Sequence, residues 1–330
     1  MIDLLPSDDQ QQILDAARTL LSERFSPDRL RGHDGADPAA DAGWSELVDF
    51  GWFMIGLPEA VGGAGLGLAE ETLLFREAGR FLLPPSVLAT SLAAHLAAEA
   101  GNEALAGELA TGAARAGLGF PSEDGAYLVD ADRSAYVLML DETGLHLFAR
   151  DAFADIRPAP SLDEAVRLER AGAPSAPPVL ENSARGLSRH AEVLISAMLI
   201  GLAEASLELA TDYAKIREQF GQPIGSFQAV KHRCADMCVR AETAGAQVAM
   251  AALSHQDDQP DAEFQVLAAA RSALQAAREN GASCIQVHGG MGFTAECHAH
   301  RFLKRHHILA QLLGGPRRLE ARLLAAAAPE

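Results

Sequence analysis

Positive charge is in short supply in this sequence. Lysine and arginine total 27 against 45 aspartates and glutamates, a formal net charge of −18. Such a surface repels phosphate backbones and anionic lipid, which argues against nucleic acid and membrane as partners and favours solubility. Cysteine is rare: Cys234, Cys238, Cys284 and Cys297 are all there is. Cys234 and Cys238 fall on one helix face, but no compact His/Cys set has metal-ligand spacing, so no metal is expected. Ordinary buried thiols in a reducing cytosol are the reading this supports. No window approaches the roughly 18 apolar residues of a membrane span. Met1 to Gln12 is acidic and polar, unlike a signal peptide. A cytoplasmic location is the expectation.

Aromatic residues are only 5% of the chain, while alanine and leucine abound. Both lose little side-chain freedom in a helix, so helices are favoured over sheets. With 330 residues, of which 48% are hydrophobic and 22% charged, the chain is long enough for two or three packed regions.

Ser7 or Asp8 caps a first helix, with Ile13, Ala17, Leu20 and Leu21 at helical spacing. After a charged break from Arg29 to Ala42, a second amphipathic helix runs from Trp44 to Phe50 and ends at Gly51. Leu57 to Gly65 is a glycine loop. It lacks a preceding strand and a Gly-Lys-Ser/Thr ending, so it is a tight inter-helix loop and not a phosphate cradle. Ala69–Gly79 and Pro85–Leu109 read as helical, the second broken at Gly101. Strand-like runs follow at 126–129, 135–140 and 145–148, with 165–168 as one more, giving a small sheet of four or five strands. Ala171 to Pro178 is a proline-rich linker. Helical periodicity then returns in Arg189–Lys215, Phe227–Ala252, Ala262–Asn280 (ended by Gly281), Ala282–Val287, Ala295–Leu313 and Pro316–Ala328. The expected fold is mainly α: an N-terminal helical domain (1–117), a small middle β-domain (118–180) and a C-terminal four-helix bundle (181–330).

Two segments carry chemistry. Tyr213 to Gln228 is a helix end, a turn with Gly221 and Pro223, and a new helix that Ser226 is placed to cap. Arg217 offers a planar fork of donors suited to a pyrophosphate, and the next helix start adds free N–H groups. Gln286 to Thr294 holds three glycines in four residues, which lets backbone lie against a ligand. The bland alternatives are an inter-helix turn and a helix-breaking turn with His288 as a core histidine.

Together the segments resemble the acyl-CoA dehydrogenase family, whose patterns look like Arg-x-x-Phe-Gly-x-x-Ile-x-x-x-Gln and Gln-x-x-Gly-Gly-x-Gly-Phe. Both are present in order, with Arg217 and Gln286 69 positions apart. Gly51-Trp52 through Gly63 extends the likeness upstream. The resemblance implies that Arg217, Phe220, Gln228, Gln286, Gly289 and Gly290 contact FAD, often across a dimer interface. It implies α,β-dehydrogenation of an acyl-CoA, with electrons passed to an electron-transfer flavoprotein.

The family's reaction needs a carboxylate at the α carbon. The position that usually carries this Glu falls on Leu313 or Gly314, neither of which takes a proton. Some members place the base early in the first bundle helix, here near Ala191, with Glu192 adjacent. Glu192 is therefore the candidate base, against the simpler reading of a solvated glutamate; Glu204 is a weaker candidate. The middle segment has only a loose echo of the family's flavin loop in Phe120 to Gly125, and no tryptophan follows it. The short length and Leu-Leu-Gly-Gly-Pro tail look like one subunit type of bacterial two-gene acyl-CoA dehydrogenases, several of which act on steroid side-chain thioesters. Three functions follow: a dehydrogenase in a homo-oligomer or a heteromer with a paralogue, a non-catalytic subunit completing a partner's FAD site, or a flavin monooxygenase or oxidase on the same fold. Arg233, Arg301, Lys304 and Arg305 are cations available to CoA, or form a solvated face.

Overall fold

The computed structural model describes residues 4–31, 39–183 and 185–326, with residues 39–42 described by their backbone alone. Helix α1 (Asp8–Arg24) starts at a capping box: Gln10 N–H donates to Ser7 Oγ, and the Ser7 N–H donates to Gln10 Oε1. Helices α2 (Ala39–Phe50), α3 (Leu68–Arg80), α4 (Pro85–Glu99) and α5 (Glu103–Ala110) complete the N-terminal part. The stops at Gly51 and Gly101 fall where the sequence predicts them. Residues 32–38, within the predicted break, lie outside the described residues.

Seven strands follow: β1 (Ala116–Ser122), β2 (Gly125–Val129), β3 (Tyr136–Asp141), β4 (Gly144–Ala149), β5 (Arg157–Ala159), β6 (Leu168–Ala171) and β7 (Leu180–Asn182). They form one sheet in the order β5-β6-β2-β1-β3-β4-β7. Among the described residues only the β1–β3 pair is parallel, with Leu118 opposite Leu138. This corrects the expectation of four or five strands. The three misses are short or broken by glycine and proline, and so lack a period-2 signal. The run 165–168 is mostly loop, with only Leu168 in β6. The stretch 171–178 is no free linker: Gly172 and Ser175 donate backbone bonds to Ala154 and Ala152, tying it to the sheet.

Alternation along the strands divides the sheet between two cores. Leu118, Leu138, Leu145 and Leu147 join the main helical core, while Leu128, Val137 and Met139 pack with Ala152 and Phe153 on the other face. Sheet and helices are stitched at Thr90, whose hydroxyl accepts from Ala116 N–H at 3.0 Å.

The C-terminal part comprises α6 (Arg185–Ile216), the hairpin β8–β9 (Glu218–Gln219, Gln222–Pro223), α7 (Gln228–Gln256), α8 (Ala262–His288), α9 (Ala299–Leu312) and α10 (Pro316–Ala325). Gly281 does not end a helix. It lies inside α8, where a Cβ would stand 3.2 Å from Leu303 of α9, so it serves close helix packing. Helix α6 corrects the reading of apolar runs. It is long and apolar enough to cross a membrane by composition, yet 72% of its apolar window is buried among its neighbours. A helix hydrophobic on nearly all sides is here the central core helix. It touches α3, α7, α8 and α9.

Candidate active site and cofactor-binding surface

A cleft opens where the start of α6, the β3–β4 turn and the α9–α10 corner meet. Its inner lobe, about 220 Å³, is lined by Phe120, Pro121, Leu140, Glu192, Leu313 and Gly314, among others. An outer lobe of about 460 Å³ adds Glu142, Thr143, Ser183 and Arg185. Asp141, Gly144, Ser188, Glu192, Arg318 and Arg322 border both lobes, so the two are continuous. Ser188 and Glu192 are four apart on α6, as are Arg318 and Arg322 on α10. That spacing turns each pair to one helix face.

Glu192 is not a solvated side chain. It is 8% exposed and held in a two-pronged ion pair: Arg322 Nη1 contacts Oε1, and Nη2 donates to Oε2 at 3.2 Å. Burial pushes its carboxyl above the usual range, and the Arg322 guanidinium pulls it part of the way back. At the corner opposite, Leu313 has an ordinary φ of −87° that any residue adopts, so only the Gly314 position disfavours a Glu. Gly314 and Gly315 have φ of 73° and 79°, in the left-handed region that a glutamate enters only with strain. Glu192 therefore reaches, from α6, the same cleft that Leu313 and Gly314 line from the other side.

The two glycine-bearing motifs come together at the far end of α6. Tyr213 stacks on His288 with ring centroids 4.2 Å apart. Met237, Cys284, Ile285 and Ala299 pack beneath them. His288 is a core histidine, with Nδ1 2.8 Å from the Cys284 carbonyl. Burial lowers its pKa. Between strands β8 and β9 the chain turns on two residues of positive φ, Phe220 at 54° and Gly221 at 78°, a tight hairpin of the primed type. Phe220 is 92% exposed. A bulky residue held at positive φ and pushed into solvent is a strained choice of the kind found at ligand clamps. Arg217, Gln228, Gln286, Gly289 and Gly290 are also exposed. Arg217 pairs with no carboxylate among the described residues. Gly289 has φ 61° and ψ −139°, a glycine-only conformation, and a Cβ on Gly289 or Gly290 meets nothing within 4 Å.

Ser226 does not cap α7. Its hydroxyl donates back to the Pro223 carbonyl at 2.7 Å, and no side chain caps α7. The α7 N-terminus thus keeps free N–H groups toward the surface.

Comparison with known proteins decides what carries this geometry. The acyl-CoA dehydrogenase N-terminal domain family matches residues 7–116, and the acyl-CoA dehydrogenase C-terminal domain family matches residues 185–328. The acyl-CoA dehydrogenase IpdE2 of Mycobacterium tuberculosis is 35% identical over 97% of this chain and 98% of its own. This chain belongs to the acyl-CoA dehydrogenase family. Its fold is shared with the Tcur3481-Tcur3483 steroid ACAD (TM-score 0.82, 24% identity, 96% of this chain and 97% of that one). It is shared too with the ChsE4-ChsE5 complex of M. tuberculosis (TM-score 0.82, 22% identity, 99% of this chain and 100% of that one). The protein is a flavin oxidoreductase of the acyl-CoA dehydrogenase type, and FAD is its cofactor.

The surface of this acyl-CoA dehydrogenase fits a dinucleotide: an exposed guanidinium, an outstretched aromatic ring, and backbone open to close approach at Gly289 and Gly290. The remaining candidates fall elsewhere. Glu204 is bound by Arg76 and Arg80 at 2.9 and 3.1 Å and faces α3. Of the cations available to CoA, Arg305 is buried on Asp163 at 2.6 Å, Lys304 pairs with Glu164, and Arg301 is 4% exposed. Those three form no solvated face; only Arg233 is exposed. Sequence reasoning passed over Arg318 and Arg322. Their four-residue spacing just after the Gly-Gly-Pro corner was the available signal.

Proposed function

We propose that this protein removes the α proton of an acyl-CoA thioester through Glu192, within an assembly of at least two subunits. The observation that carries this reading is the burial of Glu192 in the cleft beside Arg322. A buried carboxylate that desolvation raises above its usual range is a stronger base toward a weakly acidic proton. FAD, when bound, would supply the acceptor for the β hydride. Phe120, Pro121, Leu140 and Leu313 exclude water from the acyl chain, and Ser188 stands one turn from the base. At the outer lobe Arg318 pairs with Glu142 and Arg185 with Glu263, so an anionic CoA would have to compete with these carboxylates for either guanidinium.

The length of α6 supports a second subunit. Arg217 lies 25 positions after Glu192, which is about 37 Å along a helix rising about 1.5 Å per residue. One extended dinucleotide does not bridge that span. Arg217, Phe220, Gln228, Gln286, Gly289 and Gly290 are therefore assigned to FAD whose flavin reaches the cleft of another subunit, either a copy or a paralogue. The steroid ACAD and the ChsE4-ChsE5 complex, whose fold this chain shares, support a steroid-type acyl group and a paralogous partner. Electron-transfer flavoprotein is the proposed electron acceptor.

The test is Glu192→Gln in the FAD-loaded assembly. Dye-linked acyl-CoA oxidation should drop by about 10²–10⁴-fold with FAD content unchanged. An unaltered rate would clear Glu192 of the role. It would also favour a second reading, a subunit that completes its partner's FAD site, since the corner at Leu313 and Gly314 carries no acid.

A further inference from the structure

On the face of α6 away from the cleft, three side chains from three helices converge. Glu71 of α3 is 2.9 Å (Oε1) and 3.1 Å (Oε2) from Nε2 of His95 on α4, and its Oε2 is 2.8 Å from Nε2 of His190 on α6. One donor atom from each lies within 4.8 Å of the others. The side chains are 5%, 10% and 15% exposed, respectively. None of the three borders either lobe of the cleft. A fourth imidazole, His255 at the end of α7, stands edge-on to His190 with ring centroids 6.4 Å apart. The loop before α3 makes room for the group: a Cβ on Gly56 would come within 2.2 Å of the Glu71 carboxyl carbon.

We infer that Glu71, His95 and His190 form a structural site for one divalent first-row transition ion of the zinc type. Two imidazole nitrogens and a carboxylate are the donor set such ions favour. An ion with bonds of about 2.0–2.1 Å sets neighbouring donors roughly 3 Å apart, the spacing of each imidazole nitrogen from the Glu71 carboxylate here. Calcium and magnesium want oxygen ligands and do not suit it. Burial away from the cleft gives the ion no substrate to act on. Its effect is to clamp α3 and α4 of the N-terminal part onto α6. A water completes the coordination, because His255 lies outside the donor group.

The same spacing also serves direct hydrogen bonds, so metal content decides. The FAD-loaded protein would be grown with zinc, dialysed, and measured by elemental mass spectrometry. About one zinc per chain is expected in the wild type. Far less is expected in Glu71→Gln and His190→Gln at equal FAD content. A chelator that strips the ion should lower the wild-type melting temperature by several degrees and leave the variants unmoved. If the variants do not fold, wild-type zinc content and its chelator response decide alone. Dialysed wild type without zinc, or zinc removed with no change in melting, overturns the site and leaves a hydrogen-bonded cluster.

Discussion

At the scale of single residues, the chemistry rests on one carboxylate and its partner. Arg322 holds Glu192 from two sides and also approaches Glu263 at 3.4 Å. Removing the guanidinium raises the carboxyl further, because burial then acts unopposed. The base is active when ionised, so the acidic limb of kcat/KM should move to higher pH in Arg322→Gln. Arg322→Lys should restore part of the shift, and an unmoved limb would separate Arg322 from the base. A second buried acid offers a stability test. Asp130 accepts the Arg167 N–H at 2.9 Å through Oδ1, while Oδ2 has no partner among the described residues. Burial pushes its carboxyl up to about 7. The unfolded chain releases that proton near pH 3.9. Between about pH 4 and 7 the native state therefore binds more protons, and stability falls as pH rises through that window. Asn keeps the acceptor and tolerates the φ of 49°. Asp130→Asn should melt at a higher temperature than wild type at pH 8, by up to about 2 kcal/mol of stability, with the gain shrinking toward pH 5. An equal gain at both pH values contradicts the assignment.

At the scale of elements, the crossing of α3 and α6 is the tightest joint. A Cβ on Gly201 would sit 1.9 Å from the Arg76 carbonyl oxygen, backbone that cannot step aside. Gly201→Ala should destabilise by at least about 2 kcal/mol. Gly107→Ala in α5 meets open space and should be neutral or mildly stabilising. Denaturant midpoints of the pair check this, and similar midpoints would mean the helices shift apart freely. The β8–β9 hairpin is the opposite case. Phe220 is so exposed that it adds little to folding. Phe220→Ala and Arg217→Ala should therefore keep wild-type thermal stability without FAD, yet copurify with much less FAD per chain. Variants with full FAD would move the cofactor surface elsewhere.

At the scale of the whole molecule, one apolar cluster runs from α1 through the sheet to α10, so the three parts share a core. What the sheet does not supply is a shared end: the FAD-type motifs and the cleft stand at opposite ends of α6. If a second subunit closes the site, dilution below the assembly's dissociation constant should release FAD and activity together. Size-exclusion chromatography coupled to flavin absorbance reads both. FAD retained on a monomer would contradict the length argument.

The sequence alone determined the order of helices, sheet and bundle, because periodicity is local and Ser7, Gly51 and Gly101 act within their own turn. It also carried the resemblance to the family, because the motifs from Arg217 to Gln228 and from Gln286 to Phe293 are short local runs that can be matched without the fold. It placed Glu192 as a candidate but left the reading of a solvated glutamate open, because burial and the Arg322 contact join positions 130 apart in sequence. Tertiary structure decided the rest. Strands such as β5 and β7 exist only through their neighbours' hydrogen bonds. Gly281 became a packing glycine only because α9 lies against it. The meeting of Glu71, His95 and His190 needed three helices to cross. A residue's charge and spacing are written in the chain; what it faces is set by which distant segments fold against it.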